Sequence, residues 1–243
     1  MLTTKPYKMK TFVLTLILGL FFLNVQAQQT RQAALLEYLT QYQFDKTTKY
    51  EDINLETLNY TGSPYVNPSF LSGEIYHSNR LIADNVPLRY NALVDEIEFK
   101  PTFETPDVES SALMKSPEVD VRIGNKVFVF VPYQGGIEKG GYFEVLLQSA
   151  RHDLFKKYNK RFTPEQRATT SLTRDIPARF TDNTVYYIVL HDGRFVEIPS
   201  RPRNFSNAFI GKEREISNYI REKNLDVKNE DHIIQIVKHY NSL

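Results

Sequence analysis

Between Lys126 and Ala150 the chain reads KVFVFVPYQGGIEKGGYFEVLLQSA, two apolar runs around a connection that holds Gly135, Gly136, Gly140 and Gly141. Val127, Val129 and Val131 alternate with Phe128 and Phe130; after the connection Phe143, Val145 and Leu147 alternate with Tyr142, Glu144 and Leu146. Successive side chains of a strand point to opposite faces, so each run supplies at least one sheet face with bulky apolar groups. Glycine enters positive φ without steric cost, and the connection therefore reads as a turn. This stretch predicts a β-hairpin at the centre of a β-rich domain. GGIEKGG has no GK[ST] ending and does not lead from a strand into a helix, so it is neither a phosphate-binding loop nor a dinucleotide fingerprint.

The surroundings extend the pattern. Val119 to Ile123 (VDVRI) alternates strictly and is joined to the Lys126 run by Gly124-Asn125, the signature of a meander. Glu74 to Tyr76 and Leu81-Ile82 read as short strands, Asp84-Asn85 as a turn, and Pro87 to Asn91 as extended chain. In Val94 to Lys100 (VDEIEFK) the alternation slips by one residue between Val94 and Ile97, which a bulge or a late strand start accommodates. Arg151 to Arg161 suits either a short helix bearing Leu154, Phe155 and Tyr158 or a strand and loop; Thr163 to Phe180 is polar, without a period, and reads as a loop. Val185 to His191, Asp192-Gly193 and Arg194 to Ile198 form a second hairpin signal.

From about residue 205 the pattern turns helical. Ile216, Tyr219 and Ile220 share one helical face, and a further helix is expected from Asn229 as cap, with Glu230 and Asp231 in its first turn. The expected fold is mainly β with α (α+β): an antiparallel β meander, or a partly closed β structure, with C-terminal helices packed on it. Its organisation is a signal peptide over residues 1–27, an N-terminal arm or short helix over 28–61, and a single β-rich domain over 62–243.

The signal peptide follows from Lys5, Lys8 and Lys10, the apolar run from Phe12 to Leu23, and Val25 and Ala27 placed for cleavage after Ala27. The run is short for a membrane span, so none is expected in the mature chain. The chain is expected to be exported, to a periplasmic, outer-membrane-associated or extracellular place. Removing the three signal-peptide lysines from 30 basic residues leaves 27 against 29 acidic ones. That balance argues against nucleic acid as a partner. Cysteine is absent, which excludes disulfides, thiolate metal sites and cysteine catalysis.

The chemistry-bearing residues are few. Glu96 and Glu98 share one side of the VDEIEFK strand and are the candidate catalytic pair for hydrolysis of a glycan, against a solvated strand face as the commoner fate of such residues. Arg151, Lys156, Lys157, Lys160 and Arg161, interleaved with Phe155 and Tyr158, are the candidate anion-binding cluster, against a solvated basic face. The five histidines, at 77, 152, 191, 232 and 239, form no metal-ligand spacing, and no metal or cofactor is predicted.

Ser72 to Lys100 (SGEIYHSNRLIADNVPLRYNALVDEIEFK) and Asp231 to Asn241 (DHIIQIVKHYN) resemble a functionally uncharacterised family of exported proteins of Bacteroidetes-type bacteria. Its marks are a signal peptide, an RYN-like segment before an acidic strand, a tyrosine-rich β region and a lysine-rich helical tail. The resemblance implies an envelope or extracellular location and transfers no catalytic site. The leading functional expectation is a non-enzymatic envelope protein of binding or assembly type, with an envelope protein or glycan as partner. The alternatives are a hydrolase of a carbohydrate or envelope polymer and a small-ligand carrier.

Overall fold

The computed structural model describes residues 43–47, 49–50, 53–54, 59–132, 140–168 and 174–243. The expected signal peptide, most of the expected arm and the glycines Gly135 and Gly136 lie outside them. Met1–Gln43 and Phe44–Leu243 are separate units, and the fold below belongs to the second.

Its strands are β1 (Gln43–Asp45), β2 (Lys49–Tyr50), β3 (Ile53–Asn54), β4 (Tyr60–Thr61), β5 (Leu71–His77), β6 (Arg80–Asn91), β7 (Glu96–Phe99), β8 (Ser111–Leu113), β9 (Val119–Ile123), β10 (Lys126–Val131), β11 (Gly141–Leu147), β12 (Asp153–Lys157), β13 (Lys160–Thr163), β14 (Ala178–Asp182), β15 (Val185–Val189) and β16 (Phe195–Glu197). The helices are α1 (Glu213–Glu222) and α2 (Glu230–Ser242), preceded by a 3-10 segment at Pro202–Ala208. Eleven strands make one open sheet in the order β1-β8-β7-β6-β5-β9-β10-β11-β12-β15-β16, antiparallel at every pairing from β8 to β16. The chain thus meanders outward from β5 through β6, β7 and β8, returns to the far side of β5 as β9, and meanders on to β12. Between β12 and β15 it makes a side sheet, β13-β14-β4, in which β14 and β4 run parallel. The open antiparallel meander, not the closed alternative, is the architecture.

The central hairpin pairs Phe128 with Glu144, Val129 with Phe143 and Phe130 with Tyr142. Gly141 is a strand residue there, not only a turn residue. Its φ is +141°, and a β-carbon on it would lie 2.0 Å from Asp95 Oδ2 and 2.4 Å from Lys157 Nζ. The second hairpin closes through Gly193 at φ +81°: the Gly193 amide donates to the Leu190 carbonyl at 2.8 Å and the Leu190 amide to that of Arg194 at 2.9 Å. That is the three-residue loop with a left-handed glycine.

Two expectations change and two open alternatives are settled. Asp84-Asn85 does not reverse the chain. It is a bulge within β6, where Gly73 opposes Val86 and Ile75 opposes Ala83, and Asn85 takes φ +52°. The apolar residues on both sides pair with the same strand, β5, so the extra residue is absorbed as local twist. Arg151 to Arg161 is two strands and not a helix, because Leu154 and Phe155, adjacent in sequence, are buried on opposite faces. The polar stretch from Thr163 ends in a strand, with Ala178 to Asp182 paired to β13 and Phe180 packed on Phe162 and Tyr60. The slipped period of VDEIEFK is resolved by a late start: Asp95 takes φ +59° and β7 begins at Glu96.

The helices cover one face. Leu154 of β12, Ile188 of β15 and Ile198 pack with Phe205, Ala208 and Phe209 of the 3-10 region and with Ile216, Ile233, Ile236, Val237 and Tyr240 of the helices. Asn229 caps α2 by accepting from the His232 amide at 3.2 Å. Asn224, at φ +50°, ends α1 in a Schellman pattern: the Leu225 amide donates to the Ile220 carbonyl at 2.9 Å and the Asn224 amide to that of Arg221 at 3.2 Å.

Candidate functional site

The strand registers decide which charged groups meet. Glu98 lies opposite Arg89 and Glu96 opposite Asn91. All four residues of β7 are buried, and Glu98 keeps 1 % of its surface. Glu98 accepts from Arg89 Nη2 at 2.7 Å and Nε at 3.3 Å, and from Asn91 Nδ2 at 3.2 Å. Arg89 also donates to the Pro68 carbonyl at 3.0 Å and to Asp107 at 3.2 Å, with its guanidinium on the rings of Tyr65 and Phe70. Glu96 accepts from the Thr47 amide at 2.9 Å and hydroxyl at 2.5 Å. The solvated face expected for these glutamates is therefore overturned: both are sealed in the fold, because the sheet is covered on both sides here. Their oxygens are engaged by fixed donors. Burial of the neighbouring Tyr65, beside the Glu98 charge, pushes its phenol well above the usual range.

The basic cluster does not assemble. Alternation along β12 sends Lys156 to the helix-bearing face and Lys157 to the other. Lys156 meets Glu230 at 2.5 Å and Glu144 at 3.8 Å; Lys157 meets Asp95 at 3.8 Å; Lys160 meets Asp182 at 2.5 Å. Arg151 and Arg161 are exposed. Each lysine has its own carboxylate, so a shared anion site is not formed.

In its place stands a polar knot between the sheet and the start of α2. Glu144 accepts from Lys126 Nζ at 2.9 Å and from the Tyr158 hydroxyl at 2.5 Å, while the Tyr186 hydroxyl donates to Glu230 at 2.9 Å. Burial pushes the Glu230 carboxyl upward, but the hydrogen bond and charge of Lys156, with the Tyr186 hydroxyl and Lys126, outweigh it and hold the group below its usual range. The sequence signal for this knot was Glu144, a lone charge inside the apolar run YFEVLL.

The opposite face carries a different surface. Phe143, Phe155, Tyr187 and Phe195 form a buried aromatic cluster on it, with Val129, Val131, Val145, Val185 and Val189 packed against them and only partly buried. At the β5 side of this strip lies a depression of about 210 Å³ lined by Tyr76, Asn79, Asp120, Val121, Arg122 and Val127. Arg122 is engaged by Glu74 at 3.0 Å, and the Tyr76 hydroxyl donates to the same carboxylate at 2.6 Å. Asp120 has no hydrogen-bonding or ionic partner among the described residues, and burial alone pushes its carboxyl above the usual range.

The histidines do not gather as ligands, although burial, with Arg151 and His191 nearby, lowers the pKa of His152. His77 pairs with Glu118 at 3.0 Å, His152 stacks on Tyr240, His239 stacks on Tyr219, and His232 Nδ1 accepts from the Asp226 amide. Among the described residues no three histidine, aspartate or glutamate side chains gather as metal ligands, and no helix is long and apolar enough to cross a membrane.

Fold and site together define an open antiparallel β-sheet protein with a helical cover on one face and an aromatic–valine strip on the other. Comparison of the chain with protein-family models, with curated proteins and with solved structures finds no match.

Proposed function

We propose that this chain is an exported, non-enzymatic binding or assembly component of the bacterial envelope, of the Bacteroidetes-type family that its RYN and DHIIQIVKHYN segments resemble. The observation that carries the reading is the strip of partly buried valines over four buried aromatics on the face away from the helices. Valine and aromatic side chains fixed on a sheet lose little conformational entropy on contact, so such a strip suits an apolar protein partner. A hydrolase reading has less support: Glu96 and Glu98, its candidates, are held by Thr47, Arg89 and Asn91.

Native mass spectrometry of protein recovered from its own envelope tests the reading, using Val129→Thr with Val145→Thr as the comparison. These substitutions keep shape and strand preference while making the strip polar. The expected result is a partner retained by the unsubstituted chain and bound at least tenfold more weakly by the double variant. Equal retention by both, or no partner on either, overturns the proposal.

A further inference from the structure

The depression beside the valine strip has a definite chemistry. Of the two charged groups that line it, Arg122 is paired at 3.0 Å with Glu74 outside the lining, which also accepts from the Tyr76 hydroxyl. Asp120 is the lining charge left without a partner among the described residues. Register places Asp120 between Tyr76 of β5 and Val129 of β10, on the same face as all of them. Around it lie the Tyr76 ring, whose π face attracts cations and already has the Arg122 guanidinium at 5.8 Å, the Asn79 amide at the turn, and the aliphatic group of Val127; the side chain of Val121, fully buried, points to the opposite face. A volume of about 210 Å³ exceeds the roughly 150 Å³ of a cavity that admits benzene, room enough for one side chain.

We infer that this depression binds a primary ammonium group carried on a short aliphatic chain, with Asp120 as counter-ion, the Asn79 side-chain carbonyl as further acceptor, and Val127 against the methylenes. The two carboxylate oxygens and the amide oxygen match the three donors of an ammonium; the five donors of a guanidinium would exceed them. The same chemistry is offered by a lysine side chain of a partner protein and by a free alkylamine. The inference rests on the reading of this face as a binding surface, since the depression opens at the edge of the valine strip. Burial of an unpaired Asp120 charge works against folding, and an incoming cation relieves that cost.

The test is a titration of the full chain at pH 7, followed by amide NMR, with n-butylammonium, n-butanol and butyrate as probes. Saturable shifts confined to Tyr76, Asn79 and the β9 amides are expected with n-butylammonium, at least tenfold weaker with n-butanol and absent with butyrate. Asp120→Asn is expected to remove the n-butylammonium response while keeping the remaining spectrum, and Tyr76→Leu to weaken it several-fold. N-acetyl-lysine amide run beside n-butylammonium separates the sources: tighter binding of the first assigns a protein lysine, tighter binding of the second a free amine. Equal responses to n-butylammonium and n-butanol, or an unchanged response in Asp120→Asn, overturn the inference. Ammonium binding that persists when no partner is retained fails the assembly reading alone; partner retention without ammonium binding fails this inference alone.

Discussion

At the scale of single residues, the two carboxylates Glu230 and Asp120 bind protons with opposite consequences. The Glu230 carboxyl is held below its ordinary value of 4.5, so its contribution to stability is present above that pH and is lost as the pH falls through the lower folded value. The Asp120 carboxyl is raised above 3.8, so its charge costs stability above the folded value and that cost is gone below 3.8. Glu230→Gln is therefore expected to lower the thermal midpoint at pH 7, and Asp120→Asn to raise it slightly; both differences shrink toward zero in scans taken near pH 3. A Glu230→Gln midpoint that is unchanged at pH 7 counts against the Lys156 pairing. Gly141 makes a sharper demand. Its φ of +141° and the 2.0 Å approach to Asp95 leave no room for a methyl group, and Asp95 is held by the Tyr90 hydroxyl at 2.6 Å and the Tyr142 amide at 3.1 Å. Gly141→Ala is expected to cost about 1–3 kcal/mol in denaturant melts from backbone strain alone; a neutral result removes the account of this position.

At the scale of elements, local signals were readable and long-range ones were not. The Asp192-Gly193 loop and the Asn229 cap are each settled within a few residues of chain, and each appears in the structure. The fate of Glu96 and Glu98 depends on Arg89, Asp107 and Thr47, brought in by other segments, so their spacing pointed to a solvent face that does not exist. Lys156 and Lys157 illustrate the same limit: once the segment is a strand, adjacent lysines must part, but the local apolar spacing also fitted a helix. Asp120 was readable as the outward residue of VDVRI, whereas its depression needs Tyr76 from a strand more than 40 positions earlier. Two substitutions probe this level. Glu98→Gln leaves the Arg89 charge buried and is expected to cost about 3–5 kcal/mol, with part recovered in Arg89→Met combined with Glu98→Gln. Phe209, fully buried between Phe205 and Tyr240, joins the 3-10 segment to α2, and Phe209→Ala is expected to cost about 3–5 kcal/mol by calorimetry.

At the scale of the whole molecule, the two faces of the sheet are used differently. One is closed by the 3-10 segment and the helices through a continuous apolar core, with the Glu144 knot beside it. The other presents valines that stay partly accessible and, at their edge, an unpaired carboxylate. Burial is thus concentrated on the helix side and partly accessible apolar surface on the other, a division the alternating strands between β10 and β15 make possible. The most direct measurement of that division is photo-crosslinking in the cells that produce the protein, with a benzophenone side chain placed at Val129 on the strip or at Ile210, an exposed residue in the segment leading into the helical cover. A discrete adduct from position 129 and none from position 210 is the predicted result; adducts of equal yield from both positions, or from 210 alone, would contradict the account.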